Sequence, residues 1–184
     1  MPAMNIFLIQ ARANRLANRR LLGAVAALSA AEFHAPRTSF FPSLALTANH
    51  ILNVDHYYLA ALQGDAAMRH IWASYVPAQT AAELAARQDE SDEKLVAFCS
   101  GLKPGDEERI VAFDRGAGIE NGPREPVGRV LAHLFMHQTH HRGQVHAMLA
   151  GTSVKPPQLD DFIMLGDDKH RVADMAALGW AEPV

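Results

Sequence analysis

Long alanine-rich stretches, carrying larger apolar residues three and four positions apart and separated by short Pro/Gly breaks, constrain this chain more than any other feature. Alanine fills 32 of the 184 positions; it loses no side-chain entropy in a helix, and the spacing gathers the larger side chains into one stripe. Such stripes bury themselves against one another, so the pattern predicts an all-α fold, a bundle of four long helices. The first spans about Asn5 to Ala30 and ends before Pro36 and Pro42, which lack backbone donors. The second runs from Pro42 to Gln63, with Gly64 as its stop, and the third from about Ala78 to Ser100, closed by Gly101 and Pro104. His70 to Tyr75 adds a helical turn before it. The helical period is lost between Gly105 and Pro126, where Gly116, Gly118, Gly122 and Pro123 fall, and this segment reads as a long extended crossover. Such a connection frees the last helix, Pro126 to Ala150, from lying beside the third. Residues 1–166 are expected to form one domain, and 167–184 a C-terminal extension whose amphipathic run, Asp168 to Leu178, lies across the bundle or at a dimer interface.

Charge and cysteine content narrow the function classes. Lys and Arg number 17 against 20 Asp and Glu, a net charge of −3, and the basic residues do not concentrate on one stretch, which disfavours a nucleic-acid partner. No apolar run approaches the length of a membrane span, and the single cysteine, Cys99, cannot form an internal disulfide. A cytoplasmic protein is the expectation. Cys99 reads as a small buried hydrophobe beside Phe98, Asp55 as a helix-surface residue or a partner orienting an imidazole, and Asp89 to Glu93 as a solvated face. Arg142 is expected to pair with an acid on a neighbouring helix.

Histidine carries the chemical signal. Five of the ten histidines, His133, His137, His140, His141 and His146, fall in one stretch of the last helix. At about 100° per residue, Val130, Leu131, Leu134, Val145, Met148 and Leu149 define a buried arc, and of the five only His137 and His141 approach it. Spaced i, i+4, these two project from one face and can reach one ion. In the second helix His50 shares a stripe with Leu46, Val54, Tyr57 and Ala61, whereas His56 points elsewhere with Asn49 and Ala60. The best triad is therefore His50, His137 and His141. Three neutral imidazoles suit a divalent transition metal, Zn²⁺ or Ni²⁺ foremost and Fe²⁺, Co²⁺ or Mn²⁺ after them, and leave a position open for water or substrate. Gln144 lies near the His137 edge, where it can bond a ligand; His133 and His140 read as exposed or supporting residues.

Thr47-Ala-Asn-His50-Ile-Leu-Asn-Val-Asp55, Leu131-Ala-His-Leu-Phe-Met-His137-Gln-Thr-His-His141-Arg-Gly-Gln144 and Pro156-Pro157-Gln-Leu-Asp160 together closely resemble the DinB family of bacterial proteins. The resemblance implies a four-helix bundle in up-down-down-up order, related to thiol-dependent transferases and metal-dependent hydrolase-like proteins. It implies a divalent metal held by one histidine of the second helix and two of the last, which fall on His50, His137 and His141. Two functions follow as expectations. One is a thiol-dependent S-transferase using a low-molecular-weight thiol on an electrophilic small-molecule substrate, with a metal-dependent hydrolase as its variant. The other is a non-catalytic, stress-associated metal-binding protein. A homodimer is expected by family analogy.

Overall fold

Helix α1 (Ile6–Val25) starts where the Asn5 side chain accepts from the Leu8 N–H, satisfying one of the donors a helix start leaves open. The computed structural model, which describes residues 5–114 and 122–181, ends this helix at Val25 rather than at Ala30. The cause is local: Ser29 accepts from the Glu32 N–H while the Glu32 carboxylate accepts from the Ser29 N–H, a reciprocal cap that starts a new short helix, α2 (Ala30–His34). Helix α3 (Leu44–Gln63) opens on a Ser43 cap and closes at Gly64, whose φ of 70° lies in the left-handed region that glycine adopts without a Cβ penalty. A 3₁₀ turn (Ala66–His70) and α4 (Ile71–Ser74) precede α5 (Ala81–Ser100), which Thr80 caps. The crossover is more ordered than expected: β1 (Ile110–Ala112) and β2 (Arg124–Pro126) pair antiparallel, with Val111 opposite Glu125. Gly116 and Gly118 lie outside the described residues. Helix α6 (Val127–Leu149) follows β2 directly.

Side-chain pairings give the helix directions. Asn5 meets Cys99 and Arg15 meets Asp89, so α5 runs opposite to α1. Asn49 meets Ala78 at the approach to α5 and Asp55 meets Gln88, so α3 runs with α5. His50 meets His137 and Tyr58 meets His133, so α6 runs opposite to α3. The order is up-down-down-up. Each of α1 and α3 packs along both α5 and α6, giving a ring α1–α5–α3–α6 in which α6 sits across from α5. The crossover makes that placement possible.

Two apolar clusters fill the bundle. One gathers Val54 and Leu62 of α3, Leu95 of α5, and Val130, Leu131 and Leu134 of α6; the other gathers Leu21, Leu44, Leu52, Leu84, Val145 and Leu149. A buried polar layer divides them. Gln88 of α5 donates to Asp55 of α3 (2.7 Å) and to Asp92 (3.1 Å); Gln138 of α6 donates to Asp55 (2.6 Å) and accepts from Asn18 of α1 (3.1 Å); Asn14 and Asn18 also donate to Asp92. Arg142 does not bond an acid directly. It donates to the Asn14 and Asn18 carbonyl oxygens (2.6 and 3.0 Å), whose amides face Asp92. Asp55 and Asp92 are each 1% exposed, which corrects both the surface reading of Asp55 and the solvated face assigned to Asp89 to Glu93. Of that run Glu90 and Glu93 are solvated, while Asp89 bonds Arg15 and Arg19.

The C-terminal segment lies against α1. The 3₁₀ turn Leu165–His170 and α7 (Val172–Ala177) occupy the amphipathic run. Arg20 of α1 bonds Asp161 and Asp174, and Phe162, Met175 and Trp180 pack near Ala13, Leu16 and Ala17. Arg171, fully buried, donates to the carbonyls of Asp161 and Met164 and to the Asp168 carboxylate. Among the described residues, no helix is long and apolar enough to cross a membrane.

The polar layer holds two carboxyls against one guanidinium, so one negative charge lacks a balancing partner. Burial and the Asp92 charge push the Asp55 carboxyl well above the usual carboxylate range, against the pull of the two glutamine amides and Arg142. Burial pushes Asp92 up to about 7. Both carboxyls bind protons more tightly folded than unfolded, so their contribution to stability is complete below about pH 4 and declines as pH rises, that of Asp92 being lost through about 7. Asp55→Asn mimics the neutral carboxyl, since its oxygen can still accept from Gln88 and Gln138. Its melting temperature is expected to match wild type near pH 4 and to exceed it by about 2–4 °C at pH 8. Parallel wild-type and variant melting curves across that range contradict the assignment.

Candidate metal centre

The site forms where the start of α3 passes the middle of α6. His50 comes from the second turn of α3; His137 and His141 come from successive turns of α6. One ring nitrogen from each lies within 4.8 Å of the others, and among the described residues this is the cluster of three or more His, Cys, Asp or Glu able to hold a metal ion. Nε2 of His50 and Nε2 of His137 are 3.0 Å apart. Two neutral nitrogens sharing a tetrahedral ion at 2.0–2.1 Å stand about 3.3 Å apart, close to the observed spacing. His141 donates from Nδ1 to Oε1 of Gln144 (2.8 Å), which fixes its tautomer and leaves the Nε2 lone pair for the ion. These donors fit a divalent transition metal.

His141 is buried and the other two are half-buried. Burial lowers all three ring pKa values, that of His50 to about 4 and that of His137 to about 3; crowding by the neighbouring imidazoles adds to burial in each. His50 and His137 are therefore neutral, as ligands must be, far below the usual imidazole range, and His141 is lowered in the same direction although its bond to Gln144 opposes the effect. Phe41 closes one side, its ring 4.3 Å from His50 and 5.7 Å from His141. Sequence reasoning did not single it out, because it precedes the Ser43 cap, outside any helical period.

The other histidines separate as the helical wheel implied. His133 and His140 are exposed, and His146 is held by the Pro157 carbonyl at 2.9 Å. His140 accepts from the Gln144 amide (3.2 Å), so Gln144 links it to His141. His56 is half-buried, with its ring 6.2 Å from Tyr75. The inward stripe drawn through His50 needs one correction. Leu46 is 52% exposed, whereas Asn49 and Ala60 on the opposite side are buried. Asn49 accepts from Tyr75 and from the Ala78 N–H, so the segment before α5 covers a face that the stripe leaves to solvent. Asp55 bonds glutamines rather than an imidazole. Cys99 is fully buried, and burial pushes its thiol up to about 12, consistent with an inert hydrophobe.

Two outcomes test this geometry. Because protons compete for these nitrogens only below their lowered pKa values, the affinity for Zn²⁺ or Ni²⁺ is expected to fall by less than about 10-fold between pH 7.5 and 5.5. Three ordinary imidazoles would lose about 10³-fold over that range, and competition with a chelator distinguishes the two. Gln144→Leu removes the acceptor that orients His141 and is expected to weaken metal binding by about 10–100-fold, read by the same titration.

No curated protein matches the chain. The crystal structure of a DinB-like protein from Bacillus cereus ATCC 10987 matches it with a TM-score of 0.59 at 17% sequence identity, covering 79% of this chain and 89% of that one. At that identity the likeness speaks for the fold. The sequence also matches the DinB family over residues 4–167, which takes in all four long helices and the three histidines, and the chain belongs to the DinB family.

Proposed function

We propose that the protein is a metal-dependent S-transferase that joins a low-molecular-weight thiol to an electrophilic small molecule, with Zn²⁺ or Ni²⁺ as its metal. The observation that carries this reading is the convergence of three neutral imidazoles, and nothing harder, on one point: such a donor set suits a thiophilic transition metal and leaves a coordination position open. When bound, the ion supplies a lowered pKa to a coordinated thiol or water. The chain's own part is to hold and orient. His50, His137 and His141 supply neutral nitrogens, Gln144 sets the tautomer of His141, and Phe41 keeps water from one side of the rings. In the transfer, the thiol gives up its proton to solvent, sulfur forms a bond to the electrophilic carbon, and the leaving group departs with its electron pair.

His133 favours a second reading, hydrolysis. It is exposed, stands one turn from His137 with ring centroids 6.5 Å apart, and has no hydrogen bond among the described residues, so it can serve as the base for an attacking water. Omitting the thiol separates the two reactions. Metal-loaded protein is expected to consume electrophile only when a thiol such as cysteine or glutathione is present, and His50→Ala and His137→Ala are each expected to lower that rate by at least about 100-fold. Thiol-independent consumption supports hydrolysis; a thiol-dependent rate unchanged in both variants overturns the metal mechanism.

A further inference from the structure

One cavity between α3 and α6 is lined by His133, the neighbour of His137, but by none of the three clustered histidines. It measures about 420 Å³, within the range of small-ligand pockets and too small for a partner helix. Aromatic side chains make part of its wall. Tyr57 and Phe113 touch, with centroids 5.8 Å apart and planes inclined by 33°; Tyr58 meets Phe113 edge-on at 5.5 Å. Tyr58 also stacks on His133 at 5.6 Å and 27°. His133 belongs to both places, lining the cavity and standing next to His137. A ligand seated against His133 thus lies about one helical turn, ~5.4 Å of axis, from the histidine cluster.

Among the described residues, charge does not select the ligand: Arg129 and Glu125 both line the cavity, and their opposite signs leave no net preference for an anion or a cation. Ring chemistry is the remaining discriminator, because Tyr57, Tyr58 and Phe113 touch one another and form one continuous aromatic wall, which accepts a further ring on its open side in offset or edge contact and gains over an aliphatic body of equal area. We propose that this cavity is the acceptor subsite, and that it takes a small, uncharged, flat aromatic electrophile whose reactive carbon points past His133 toward the three histidines. The assignment of the acceptor rests on the S-transferase reading. An aryl halide illustrates the balance: the thiol proton goes to solvent, sulfur bonds the ring carbon that carries the halogen, and the carbon–halogen bond breaks with halide leaving.

Calorimetric titration with 1,3-dinitrobenzene, which has no leaving group, tests the cavity without any reaction. Binding is expected to be the same in wild type and His50→Ala, and about 3–10-fold weaker in His133→Ala, an exposed position, and in Tyr58→Leu. Nitrocyclohexane, of similar size but not flat, is expected to bind more weakly than the arene. Equal affinity for the two probes, or no loss in either cavity variant, overturns the subsite. Turnover of 1-chloro-2,4-dinitrobenzene with cysteine is then measured separately: the expected binding pattern without turnover supports the aromatic cavity and overturns the transferase reading.

Discussion

Gln138 holds the position on which the site depends. Its side chain is fully buried at the centre of α6, where it donates to Asp55 of α3 and accepts from Asn18 of α1. An apolar face tolerates small rotations and slips of a helix, because one methyl contact substitutes for another. A buried amide bonded on two sides does not, since a slip leaves its donors and acceptors unsatisfied in a medium that cannot hydrate them. With Gln138 held, His137 beside it and His141 one turn on have their direction set. Asp55, one to two turns beyond His50 on α3, ties the facing helix to the same layer. The layer makes the three imidazoles meet.

That layer has an electrostatic cost, and the bundle carries it in the middle, between two apolar clusters that supply the driving force for folding. Two carboxyls face one guanidinium through a set of amides, so a proton is retained where solvent would remove it. The histidines work in the opposite sense: burial and crowding keep protons off. Burial disfavours whichever form is charged, and so the same low-dielectric interior raises the pKa of the acids and lowers that of the imidazoles.

Direction, rather than abundance, distinguishes the histidines of α6. The five sit on one helix, yet one bonds a loop carbonyl, one bonds Gln144, one stacks on Tyr58, and two turn toward His50. Two of the three outside the cluster still bear on it. His140 ends the chain of bonds that orients His141, and His133 stands between the cluster and the aromatic cavity.

The four long helices, the long crossover and the convergence of His50, His137 and His141 on one point were legible in the amino-acid sequence, because all three follow from local rules: apolar spacing, Pro/Gly punctuation and the angle each residue turns about a helix axis. The Ser29–Glu32 cap that divides the first helix follows a local rule as well. What only the tertiary structure decided is whatever depends on a second element arriving. Asp55 and Asp92 look like surface acids on their own helices and become buried because Gln88, Gln138, Asn14 and Asn18 approach from other helices. Leu46 looks inward by periodicity and is exposed, while Asn49 is covered by the segment that ends at Ala78. Phe41 and the cavity between Tyr58 and Phe113 carry no sequence period, since their walls come from a pre-helix loop, a helix and the end of a strand. Periodicity reports the face a helix offers, and burial depends on what packs against that face.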